Sequence, residues 1–215
     1  MTVHWPYLAL ALLTLWFPRQ WMRLGKFMKR DRRKERETLE RFAQDGGKDP
    51  DDKSVRLTRE LRKPRNYLDF FRALLGSFCL WNYTFTASKD VGPTLPFAAC
   101  AAITAIAVLI QSIRWRQRIT FFAAIFFYVG LSAGMGNNYP GALAFLLVCA
   151  INPVIPTPRL FVAAYAVVLL PFNFFLGDNL QLAAFNSALL MLPPFWSVMI
   201  NRPMVIFMRK REMSW

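Results

Sequence analysis

Reactive side chains are scarce in this sequence, and their scarcity excludes most chemistry. The 215 residues include one histidine, His4, so neither a histidine pair for haem nor a histidine-based zinc set can form. The three cysteines, Cys79, Cys100 and Cys149, stand apart inside apolar runs without a CxxC spacing. They read as small buried hydrophobes, not as a disulfide framework or a thiol-redox site. Carboxylates number 13 against 27 lysines and arginines. None falls deep in an apolar run, since Asp69, Asp90 and Asp178 all lie near run ends. Proton-relay dyads and intramembrane aspartyl chemistry therefore lack their parts. No serine sits in a G-x-S-x-G setting, and no glycine-rich loop carries the lysine of a phosphate cradle. Asp49, Asp51 and Glu60 match the first, third and last positions of a calcium loop. Lys53 and Ser54, however, stand where that loop needs a ligand and a glycine. The sequence thus points away from an enzyme with catalytic residues of its own. It names no cofactor and offers no metal-ligand set.

What the sequence has in abundance is apolar. Some 55% of residues are hydrophobic and 19% charged, and beyond Tyr67 the apolar runs show no polar face. Continuous runs of this kind read as membrane spans. The exception is the stretch from Arg19 to Arg65, which holds 17 of the 27 lysines and arginines. In a soluble protein a net charge of +14 would suggest nucleic acid. Here no folded basic module remains once the spans are removed, so nucleic acid is not an expected partner. A basic block between spans stays on the cytoplasmic side and orients its neighbours.

The expected fold is all-α, a polytopic transmembrane helix bundle of about seven spans, with five or six as the alternative because several are short. The first span covers residues 1–18 and reads as a retained anchor with its N-terminus outside, since its positive charges follow it. Residues 19–66 form a basic cytoplasmic arm, two polar helices around an acidic turn. Residues 67–201 form the bundle, with spans near 67–87, 95–113, 119–136, 141–155, 160–176 and 180–200. Residues 202–215 are a basic cytoplasmic tail, and the apolar stretch from Met204 to Met208 is expected at the lipid interface. The charge asymmetry suits a bacterial inner membrane.

Four groups of residues carry the functional expectations. Lys29, Arg30, Arg32, Arg33 and Lys34 form the root of the arm and would touch anionic lipid or a protein partner. Asp69 and Arg72, three residues apart, would pair at the membrane interface behind Asn66 as N-cap. Gly130 and Gly134 make a small-xxx-small packing face, and spans three and four would form a tight hairpin. In the last three spans Pro153, Pro171, Pro193 and Pro194 should kink or break the helices, and Asn152, Asn173 and Asn186 would answer the freed carbonyls or line a polar cavity. The leading expectation is an accessory or scaffolding subunit of a membrane complex, docked through its basic arm, with a protein partner or a second copy of itself. The alternative is a small-solute or lipid permease with its site in spans five to seven.

Overall fold

The computed structural model describes residues 1–18, 55, 60–87, 92–115, 119–136, 138–177, 179–202 and 204–205. The root of the basic arm, Lys29 to Lys34, and most of the C-terminal tail lie outside these residues. Among the described residues the chain is mainly helical. Seven helices of ten or more residues follow one another: α1 (Trp5–Trp16), α2 (Pro64–Cys79), α3 (Thr94–Ser112), α4 (Ile125–Gly134), α5 (Asn138–Ile151), α6 (Pro158–Leu176) and α7 (Leu180–Met199). Three of them, α3, α6 and α7, are long and apolar enough to cross a membrane. An all-helical core with several apolar helices fits a membrane protein.

Local chemistry sets the helix ends. Pro64 opens α2 with its ring already at a helical φ, after Lys63 as N-cap. Asn66 is therefore not the cap, as its sequence position suggested. It lies inside the first turn, and its amide donates instead to the Glu60 carbonyl (2.8 Å) and carboxylate (3.0 Å). Thr157 caps α6 by accepting from the Leu160 N–H at 3.3 Å. Asn179 caps α7 by accepting from the Leu182 N–H at 3.1 Å. Helix α7 ends in a Schellman turn: Asn201 N–H reaches Val198, Arg202 N–H reaches Ser197, and Asn201 takes a φ of 51° that asparagine tolerates.

Successive helices are neighbours along a closed path, α1–α2–α4–α5–α6–α7–α3 and back to α1. Helix α4 is buried over all ten residues, as expected of a helix that is apolar all round. It is a core helix more than a lipid-facing one. Helix α2 lies between α1 and α4 and touches each through small residues. Its Gly76 faces Thr14 and Leu15 of α1, while Ala73 and Ser77 face Gly130 and Gly134 of α4.

Four expectations are corrected. Spans three and four do not form a simple helical hairpin: Ile113–Trp115 (β3) and Ile119–Phe122 (β4) are an antiparallel strand pair. Met204–Val205 (β5) adds to β4 in parallel. The strands satisfy extended backbone at the end of the bundle, and β-branched and aromatic residues favour them there. Met204 is consequently buried in the protein and not laid on a lipid interface. At Pro171, inside α6, and at Pro193 and Pro194, inside α7, the helix continues, so the break that was one of two expected outcomes does not occur there. Only Asn152–Val154 tightens into a 3-10 turn. Finally, the span expected to begin near residue 141 begins earlier, with Asn138 as the first residue of α5.

The two ends of the bundle differ. At one gather the C-termini of α1, α3, α5 and α7, the N-termini of α2, α4 and α6, and the strands β3, β4 and β5; we call it the Arg72 end. At the other, Thr2–Val3 (β1) pairs with Phe85–Thr86 (β2), which follows a π-helical turn at Leu80–Thr84.

Candidate functional site

Asp69 and Arg72 pair inside the protein, with 1% and 9% of their surface exposed. The Arg72 Nε donates to Asp69 Oδ1 at 3.0 Å. Its Nη1 donates to the Phe17 carbonyl at 2.5 Å and to that of Thr14 at 3.5 Å. Its Nη2 donates to Gln111 Oε1 at 2.9 Å. The Gln111 amide then donates to the carbonyls of Leu15 (3.1 Å) and Phe17 (2.9 Å). The guanidinium also lies 5.2 Å from the centre of the Phe127 ring. This cluster thus closes the C-terminal end of α1, whose last carbonyls have no intrahelical donors. It is an anchor joining α1, α2, α3 and α4. Sequence reading missed Gln111. The available signal was a lone amide in the last turn of an apolar helix.

The three asparagines do not share one place. Asn152 lies at the Arg72 end, where its amide donates to the Val55 carbonyl at 2.8 Å. That bond fixes one residue of the basic arm, itself 1% exposed, against the bundle. Asn173 and Asn186 lie at the opposite end, in the wall of one cavity of about 540 Å³. Small-molecule sites commonly span ~300–1,000 Å³.

The cavity is lined from every helix except α1, including Trp81 from the π-turn of α2, Phe97 from α3, Ser132 from α4 and Tyr139 from α5. Its described lining residues carry no charge. Some of their polar groups are already engaged. The Asn82 amide donates to the Phe78 carbonyl at 2.9 Å. Ser132 Oγ shares a 2.5 Å hydrogen bond with the Tyr165 hydroxyl, and Asn179 caps α7. Asn173 Nδ2 and Asn186 Oδ1 are different: both are buried and, among the described residues, make no hydrogen bond. Aromatic contacts firm the adjoining wall. Trp81 packs edge-on to Phe97 at 5.3 Å, and its indole N–H donates to Thr104 at 3.3 Å.

Gly130 and Gly134 do face a neighbouring helix closely, but the neighbour is α2 and not α3. His4 at the cavity end approaches the Thr86 hydroxyl at 3.3 Å. Cys79 and Cys100 are buried, Cys149 is half-buried, and all three are free thiols. Among the described residues no three His, Cys, Asp or Glu side chains gather to hold a metal ion. No protein-family model matches the chain, and no curated protein or solved structure matches it.

Proposed function

We propose that the chain is a multi-pass integral membrane protein that binds and carries a small uncharged molecule, or the head of an uncharged lipid, through the cavity at the end away from Arg72. The observation that carries this reading is the pair of unpartnered amide atoms, Asn173 Nδ2 and Asn186 Oδ1, in one uncharged wall. Buried polar atoms without partners are costly, by ~1–3 kcal/mol each, and a bound molecule relieves them. The proposed topology has all seven helices within the bilayer, the Arg72 end cytoplasmic and the cavity end outside. The basic residues from 19 to 65 support it, because such segments resist translocation.

The direct test is stopped-flow swelling of proteoliposomes in glycerol, glucose, glycine and betaine. Entry of at least one solute should be about tenfold faster than into empty liposomes. It should return to the empty-liposome rate in the Asn173→Leu, Asn186→Leu double variant. Entry at the empty-liposome rate for every solute would remove a soluble cargo and leave only an uncharged lipid. Topology has its own measurement, in a background with the three cysteines replaced by alanine. An impermeant maleimide should label Asn138→Cys in intact spheroplasts, and Glu37→Cys only after permeabilisation. Equal labelling of both without permeabilisation would overturn the orientation.

A second reading, the accessory or scaffolding subunit, draws support from the Asn152–Val55 contact. A basic arm tied to the bundle at that point would present its charges to anionic lipid or to an acidic partner protein.

A further inference from the structure

We infer that the ligand of the cavity is a neutral polyhydroxylated group, a polyol or a sugar, free or as the head of a lipid. This rests on the carrier reading above and goes beyond it in naming the chemistry. Three properties of the wall select that class.

The first is the absence of charge among the described lining residues. An ion or a zwitterion would lose its hydration there and gain no counter-charge, so the wall discriminates against both. The second is the hydrogen-bonding capacity left over. Asn82, Ser132 and Asn179 have partners within the protein. What remains is one buried donor on α6, Asn173 Nδ2, and one buried acceptor on α7, Asn186 Oδ1. Asn186 lines the cavity yet is 3% exposed, so its amide has to turn toward a ligand to meet it. A purely apolar ligand would leave both atoms unpaired. A hydroxyl both donates and accepts, so two hydroxyls of one ligand, or a single bridging one, satisfy the pair. The third is the aromatic side of the wall, where Trp81 and Phe97 meet the cavity. The C–H surface of a polyol or sugar packs on such rings while its hydroxyls face the amides.

The full-length protein in nanodiscs tests this by isothermal titration. The probes are methyl glucoside, glycerol, betaine and inorganic phosphate. In a parallel arm, nanodiscs doped with glucosyl-diacylglycerol are compared with nanodiscs doped with phosphatidylcholine, by native mass spectrometry of the retained lipid. Binding of methyl glucoside, glycerol or the glucosyl lipid is expected, weakened at least tenfold by Asn186→Leu and by Asn173→Leu. Ala183→Leu, which adds bulk to the same wall from α7 and keeps both amides, should weaken it as well. The melting temperature of Asn186→Leu should stay at or above that of the parent, because the change removes an unpaired polar atom. A response to the free sugar assigns a soluble source, and a response only to the doped lipid assigns a membrane source. Preference for betaine or phosphatidylcholine, which carry no net charge, blocked by the same variants, overturns the polyol assignment and leaves the carrier reading standing, whereas preference for phosphate overturns both. No binding of any probe, with the variants indistinguishable from the parent, overturns both.

Discussion

Arg72→Leu should be among the most destabilising single substitutions in the chain, costing about 3–5 kcal/mol, the range for removing one partner of a buried ion pair. At the size of this protein that corresponds to a melting point lower by on the order of 10 °C. Helix α1 has 12 residues, so it spans ~18 Å, well short of a hydrocarbon core of ~30 Å. Its C-terminus, ending before Pro18, therefore lies where water is scarce if the helix enters the bilayer from the other side. The carbonyls of Thr14, Leu15 and Phe17 have to find donors in the protein, and Arg72 and Gln111 supply them. Leucine would take the donor from the Thr14 carbonyl, leave the Phe17 carbonyl to Gln111 alone, and leave the Asp69 carboxylate without the guanidinium that balances it. Arg72→Lys should lose about half as much, because one ammonium can meet Asp69 but cannot fan out to Gln111 and Phe17 together. Gln111→Leu should be milder still, and a double-mutant cycle between positions 72 and 111 should show coupling of about 1 kcal/mol or more. Thermal unfolding in a mild detergent is the measurement. If Arg72→Leu melts with the parent, the cluster is not what closes α1, and the polar group is free for another role such as a proton or solute path.

The contrast between this cluster and the rest of the fold marks what a sequence can reveal here. Helix existence was legible because apolar runs broken by Pro, Gly and Asn leave few alternatives, and the starts and stops of α3, α6 and α7 fall close to the expected ones. The small-residue face of Gly130 and Gly134 was legible as a contact, but its partner was not, since spacing along one helix says nothing about which neighbour approaches. The burial of Arg72 was illegible for a related reason. Position in a run suggested an interface, yet the groups that enclose the side chain come from Phe17, Gln111 and Phe127 on three other segments. The strand pair β3–β4 was hidden because Ile119 to Phe122 is as apolar as a helix would be, and short apolar runs do not declare their period. Of the three asparagines, two line one cavity because α6 and α7 run side by side in opposite directions. Asn152, equally polar, lies at the far end and serves the arm.

Gly130→Ala should cost more than any other alanine substitution at a helical glycine of the bundle, and Gly130→Val should abolish the monodisperse folded protein. The opposing expectations for three glycines make this a test of geometry and not of composition. Alanine raises helix propensity by about 1 kcal/mol at Gly130 and Gly134, which lie in α4, whereas Gly136 lies in the bend that follows it. At Gly136 an added Cβ would meet only the Leu182 Cδ2 at 3.6 Å, an ordinary contact, so Gly136→Ala should be neutral or slightly stabilising. At Gly134 the new methyl would run into Ser77 Oγ and the Leu74 carbonyl, and at Gly130 into the Phe70 carbonyl. The Phe70 and Leu74 carbonyls belong to the backbone of α2 and cannot rotate away. At Gly130 the Phe70 carbonyl carbon also comes within 3.0 Å and the Ala73 Cβ within 3.1 Å, so the whole helix would have to retreat. Overpacking of side chains costs about 1–3 kcal/mol. A clash with backbone belongs at or above the top of that range, and it outweighs the propensity gain. Because α4 is buried on all sides, a retreat of α2 would also disturb its contact with α1 at Gly76 and the Arg72 anchor one turn away. Size-exclusion profiles and melting points of Gly130→Ala, Gly134→Ala and Gly136→Ala in one detergent give the order directly. The same melting point for Gly130→Ala and Gly136→Ala would mean that α2 and α4 stand farther apart, and that the close approach on which the cavity wall depends is absent.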